Sequence, residues 1–164
     1  MDVDTPEWSG YHLMRECRLV FIPFTRDCCM NNQTLKALFP DEVLAELFPP
    51  RRTNDFFEAL FGDAAEGAYD ITLRFYGYEK NTRALQFNLD LHERPGCCLV
   101  CSLTHGLPEV FNRHPVINVK GLVNEIGKRL EGVATCTDWK LGTTIQQEKS
   151  RHTIPLTITL AEAA

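Results

Sequence analysis

The chain has 164 residues, of which 44% are hydrophobic and 24% are charged. This length fits one domain with an apolar core, so we treat residues 1–164 as a single domain. The composition is close to the globular average and argues against collagen-like, coiled-coil and wholly disordered chains. The net charge is −5, and no segment concentrates Lys and Arg, whereas nucleic-acid binders need clustered cations to displace phosphate counterions.

The sequence also gives expectations about cellular compartment. The longest fully apolar run covers residues 19–24, far short of the ~20 residues that a membrane-spanning helix needs. The first residues are acidic, where a signal peptide is basic. The seven cysteines are odd in number, which is a poor basis for a disulfide framework. We therefore expect a cytoplasmic protein with reduced thiols and no cofactor, which binds neither membrane nor nucleic acid.

The first part of the chain predicts one strand followed by helices. Residues 1–14 are polar and irregular and are a candidate disordered segment. Residues 16–24 carry apolar side chains on both faces, which predicts a strand covered on two sides. Apolar spacings of three and four then predict a helix, or two helices joined at Pro40, as far as Phe48. Another helix follows and ends at Gly62, because glycine favours a helix C-terminus.

The middle of the chain changes to a period of two. Residues 69–78 and 84–92 alternate apolar and polar side chains, which predicts two half-buried strands. A Pro-Gly turn leads into residues 97–103, which we interpret as a third strand. Together these strands predict an antiparallel meander over residues 69–103.

The last part predicts two helices and a hairpin. Residues 108–113 predict a short helix and residues 119–131 a longer one. Residues 136–160 predict the hairpin, in which Pro155 lacks a donor and so favours an edge position or a bulge. Strands cluster after helices, which predicts an α+β fold. Its mostly antiparallel sheet would combine the strand at 16–24, the meander and the hairpin, with helices covering one face.

The outward face of the meander is the main candidate site. Alternation places polar and aromatic residues on the side away from the helices. Tyr and Arg are enriched where proteins bind proteins, since they combine large contact area with a polar end. The candidate binding residues are Arg74, Tyr76, Tyr78, Gln86, Asn88, Asp90 and His92. We therefore expect a non-catalytic interaction module that binds a partner protein or forms a homodimer, with no catalytic residue assigned.

Asp90 and His92 support two further interpretations. A carboxylate beside an imidazole can fix its tautomer and raise its basicity, as a general base requires. The same two groups could orient a ligand in a pocket between sheet and helices, which predicts a small-molecule-binding protein. A solvated strand face explains them equally well, because alternation places polar residues there.

A cysteine-rich segment gives an alternative function. Cys98, Cys101 and His105 are of the types that bind zinc or perform thiol chemistry, and Cys28 or Cys29 could complete such a site. This combination predicts a metal- or thiol-dependent enzyme or sensor. In a strand, however, residues three apart point to opposite faces. Buried core thiols are therefore the simpler interpretation.

Overall fold

A computed structural model of the protein describes residues 30–98 and 103–162. The predicted strand at 16–24 and the candidate disordered segment 1–14 lie outside the described residues. A short 3-10 turn, Ala64–Glu66, follows the third helix. The helices and strands are α1 (Asn32–Leu38), α2 (Asp41–Leu47), α3 (Arg51–Phe61), β1 (Tyr69–Glu79), β2 (Ala84–Glu93), α4 (Leu103–Arg113), α5 (Val119–Arg129), β3 (Ala134–Leu141), β4 (Ile145–Glu148) and β5 (Arg151–Glu162).

The strands form one antiparallel sheet in the order β1-β2-β5-β3, and β4 also pairs with β5. The strands β1 and β2 form a hairpin, and α4 and α5 separate them from the C-terminal strands. The predicted α+β class with an antiparallel sheet is confirmed.

Local sequence signals explain the helix boundaries. Pro40 separates α1 from α2, as predicted. The side chain of Asn31 accepts a hydrogen bond from the Thr34 N–H at 2.8 Å and caps α1. Gly62 ends α3 with a φ of 80°, a left-handed conformation that glycine adopts without steric cost.

The predicted third strand of the meander is wrong. Cys97 and Cys98 lie outside any strand, and Leu103 begins α4, while residues 99–102 lie outside the described residues. The position beside β2 belongs to β5, since the alternating apolar residues of β5 match those of β2 across the ladder. The helix α4 also contains Pro108, which was expected to begin a helix.

Pro155 lies in the middle of the sheet, because β5 has neighbours on both sides. The edge position predicted for it is therefore wrong, and no register shift falls at Pro155 itself, although the pairing on one side of it is interrupted. The residues between Leu141 and Ile145 interrupt the ladder opposite Pro155. Here the Gly142 N–H donates to the Pro155 carbonyl at 2.7 Å. In a strand the N and C=O of one residue face the same side, so the missing donor of Pro155 faces this interruption.

One face of the sheet packs against the helices. The Phe87 ring of β2 lies 5.1 Å from the ring of Phe39, which follows α1. The Tyr69 ring of β1 lies 4.9 Å from that of Phe57 in α3. We call this side the helix-packed face and the opposite side the polar face. The polar face includes Thr72, Arg74, Gln86, Asn88, Asp90, His92 and Thr153.

Candidate functional site

The register of β1 and β2 places most of the predicted binding residues together on the polar face. Thr72 lies opposite Asp90, and Arg74 lies opposite Asn88. Alternate residues of a strand share a face, so Gln86 lies on the polar face in one row with Asn88 and Asp90 along β2. The centre of this row is inaccessible, since Asp90 is 2% exposed.

An ion pair between Arg74 and Asp90 occupies that centre. Arg74 Nε donates to Asp90 Oδ2 at 2.6 Å, and Arg74 Nη2 donates to Asp90 Oδ1 at 3.2 Å. Two parallel contacts of this kind fix the plane of the guanidinium group. The Arg74 side chain nevertheless remains 45% exposed. The geometry therefore combines a buried carboxylate with a cation that is held in place and still reaches the surface.

Two further residues complete the network around this ion pair. The Thr153 hydroxyl of β5 donates to Asp90 Oδ1 at 2.7 Å. With its amide oxygen turned towards Arg74, Asn88 accepts from Nη2 at 3.1 Å and donates to the Phe87 carbonyl at 3.0 Å. We call Arg74, Asn88, Asp90 and Thr153 the Arg–Asp cluster. It links three adjacent strands through side chains alone.

Electrostatics keep the cluster ionised. Burial acts to raise the pKa of Asp90, but hydrogen bonds from Arg74 and Thr153, with the electrostatic influence of Arg74 and His92, lower it overall. The hydrogen bond to Asp90 also raises the pKa of Arg74. A carboxyl group with a lowered pKa is a poor general acid or base near neutral pH. This arrangement therefore suits holding Arg74 in position rather than transferring protons.

His92 lies on the same face and is exposed. Its Nε2 lies 3.0 Å from the Thr72 hydroxyl, while both oxygens of Asp90 bond Arg74 or Thr153. Among the hydrogen bonds of the described residues, none joins Asp90 to His92. The structure thus places the proposed carboxylate–imidazole pair on one face without bonding its two members.

A bulge in β1 separates the two predicted tyrosines. The register shifts between Phe75 and Gly77, so Tyr78 lies opposite Leu85 and packs against the core. Tyr78 therefore belongs to the helix-packed face, contrary to its prediction as a binding residue. Tyr76 lies in the bulge and is 65% exposed. The missed signal was Gly77, because an isolated glycine inside a strand pattern often marks a bulge.

The residues of the metal alternative are only partly described. Cys98 is exposed and has a free thiol, and His105 lies in the first turns of α4. Cys101, like Cys28 and Cys29, lies outside the described residues. Within the described part of the chain, no group of three His, Cys, Asp or Glu residues could hold a metal ion.

Two surface clefts lie away from Asp90 and His92. A cleft of about 320 Å³ follows the β1 bulge and is lined by residues of α1, β1 and β2, Lys36, Tyr76 and Gln86 among them. Another of about 300 Å³ lies at the end of α4, beside His114. Neither is lined by the two polar groups proposed to orient a small molecule.

Two threonines of the polar face were missed by the sequence analysis. Thr153 and Thr72 bond Asp90 and His92 respectively. Alternation places Thr153 on the same face of β5 as Pro155, which could have marked it as polar-facing. Its contact with Asp90 depends on the pairing of β2 with β5, which joins residues more than sixty positions apart.

No family model, curated protein or solved structure matches the chain. No helix in the described part of the chain is both long enough and apolar enough to cross a membrane.

Proposed function

We propose that the protein is a non-catalytic interaction module that binds a partner protein through the polar face. The observation that carries this proposal is the state of Arg74, which is fixed by buried Asp90 and yet 45% exposed. A side chain already fixed in place loses little conformational freedom on binding, so more of its contact energy contributes to affinity. Arginine and tyrosine are also, with tryptophan, enriched among the residues that dominate binding energy.

One remaining donor of Arg74 favours a partner that presents a carboxylate. Nε and Nη2 of Arg74 bond Asp90, and Nη1 has no hydrogen-bond partner among the described residues. Tyr76, two residues from Arg74 along β1, and His92 of β2 are both exposed. A partner carboxylate that accepts from Nη1 would gain a charge-assisted hydrogen bond, with Tyr76 supplying aromatic contact area.

We also infer that the module acts in the cytoplasm. The free thiols of Cys97, Cys98 and Cys136 support this location, since reduced cysteines are typical of that compartment.

Site-specific photo-crosslinking in cells tests the binding face. A photoreactive amino acid at Tyr76 is expected to give one dominant adduct, whereas the same group at exposed Ala45 of α2 gives none. The adduct is then identified by mass spectrometry, and the purified pair is measured by isothermal titration calorimetry. We expect Tyr76→Ala and His92→Ala to weaken binding by about tenfold each.

Two results would contradict the proposal. One is equal crosslinking from Tyr76 and Ala45, which would indicate random contact. The other is unchanged affinity in the Tyr76→Ala and His92→Ala variants while circular dichroism shows a folded protein.

A further inference from the structure

The β1 and β3 edges of the sheet differ in how they are covered. On β1, the Ile71 N–H donates to the buried Thr53 hydroxyl of α3 at 3.1 Å. At the other end of β1, the side-chain amide of Asn32 donates to the Tyr78 carbonyl at 3.0 Å and accepts from its N–H at 2.5 Å. Side chains from helices thus occupy outward backbone groups at both ends of β1, which protects an edge from pairing.

The edge of β3 has no such cover among the described residues. The Gly142 N–H donates inwards to β5. Inward and outward positions alternate along an antiparallel strand, so the backbone groups of Leu141 and Trp139 face outwards. No strand or side chain of the described residues bonds these groups. Within residues 30–98 and 103–162, the β3 edge is therefore left unpaired.

The sequence of β3 is complementary to itself across a two-fold axis. Asp138 and Lys140 flank Trp139, and both are exposed. They pair with Thr159 and Thr157 of β5, which places both charges on the polar face. If Trp139 lies opposite Trp139 of a second copy, each Asp138 faces a Lys140. In this ladder between two β3 strands, Asp138 and Lys140 form non-hydrogen-bonded pairs. Opposing side chains approach each other most closely in pairs of this kind.

We propose that two copies of this chain associate through antiparallel pairing of their β3 strands, with the two-fold axis between the two Trp139 residues. Charged residues on an edge strand usually discourage pairing. Here Asp138 and Lys140 attract each other across the interface in the register that places Trp139 opposite Trp139. The pairing is short, since the β3 bulge between Cys136 and Asp138 limits it. This surface is distinct from the Arg–Asp cluster, so the inference does not depend on the proposed function.

Charge reversal tests the proposal by analytical ultracentrifugation of the full chain. The wild type is expected to form a concentration-dependent dimer. Asp138→Lys or Lys140→Asp turns two attractive pairs into two repulsive ones, which should weaken the dimer by about tenfold or more. The double variant Asp138→Lys/Lys140→Asp restores opposite charges and should dimerise like the wild type. The two single variants, when mixed, should form a heterodimer.

The control and the contradicting results are equally specific. Lys80→Asp makes the same charge change in the exposed β1–β2 turn and should leave the dimer unchanged. A wild type that stays monomeric at high micromolar concentration would overturn the proposal. A dimer unaffected by the single reversals, or a mixture that forms no heterodimer, would also overturn it. Circular dichroism confirms that each variant is folded.

Discussion

The middle of β2 is buried on both faces of the sheet, but different chemistry buries each side. On the helix-packed face, Leu85, Phe87, Leu89 and Leu91 are each 0% exposed and contact other apolar side chains. On the polar face, Asp90 is almost as inaccessible but has hydrogen bonds from Arg74 and Thr153. Apolar packing depends on the volumes of the side chains that fill the core. The Arg–Asp cluster depends on the direction of its hydrogen bonds and on the presence of every hydrogen-bonding partner. The second arrangement is the one that can fix a functional side chain.

Removing an aromatic ring from the helix-packed face should have the largest effect on stability. Phe87 contacts the rings of Phe39 and Phe75 at 5.1 and 5.6 Å. Phe87→Ala should lower the free energy of unfolding by about 3–5 kcal/mol, since it loses buried area and leaves a cavity. Urea denaturation measures this change. Phe87→Leu should cost much less, and equal losses in the two variants would contradict the packing described.

Removing the central carboxylate should come next. Asp90→Ala leaves the Thr153 hydroxyl and the guanidinium of Arg74 without their acceptor, and should cost about 2–3 kcal/mol. The partial exposure of Arg74 limits the loss, because water can solvate it. Thr159→Val, at an exposed position of β5, should change stability by less than about 0.5 kcal/mol. Equal effects of the two substitutions in urea denaturation would contradict a structural role for the cluster.

A substitution that keeps the shape of a side chain separates the contribution of a hydrogen bond from that of side-chain volume. Thr153→Val keeps the size and β-branching of the side chain but removes the hydroxyl that donates to Asp90. It should destabilise the protein by about 1 kcal/mol. The matched control is Thr157→Val, which changes a threonine four positions further along the same face of β5. This substitution should be nearly neutral. A neutral result for Thr153→Val in thermal denaturation would show that the hydroxyl contributes nothing.

Acid should weaken the polar face without affecting the apolar one. The pKa of Asp90 is lowered in the folded protein, so its ionised form stabilises the fold above the pKa of the unfolded chain. That contribution is lost as the pH falls through the folded-state pKa, below about 4. The effect should be smaller than that of Asp90→Ala, since a protonated carboxyl still accepts hydrogen bonds. Urea denaturation from pH 6 to pH 2 should show a steeper loss for the wild type than for Asp90→Asn; parallel curves would contradict this.

Much of the fold follows from periodicity and local signals. Alternation identified β1 and β2, Gly62 marked the end of α3, and Pro40 separated two helices. The third strand of the meander failed because residues 97–103 carry apolar side chains that suit a strand or a buried helix equally. The neighbour of β2 is instead decided by long-range matching with β5, which a local pattern does not contain.

The sequence predicted most of the residues of the site but not the contacts between them. Alternation placed Arg74, Asn88 and Asp90 on one face, and the structure joins them through hydrogen bonds. It did not predict the bulge that moves Tyr78 to the other face, because one extra residue reverses every later side chain. It also could not supply Thr153, whose partner depends on the order of strands in the sheet.

The central claim is that Asp90 fixes the orientation of the Arg74 guanidinium while leaving it partly exposed. Nuclear magnetic resonance of the Arg74 side chain tests this claim most directly. The Arg74 Nε–Hε signal, assigned by its loss in Arg74→Lys, should be resolved from the other arginines and slow to exchange with water. It should move towards the average arginine position, and exchange faster, in Asp90→Asn. An Arg74 signal that exchanges rapidly in the wild type and does not respond to Asp90→Asn would contradict the account.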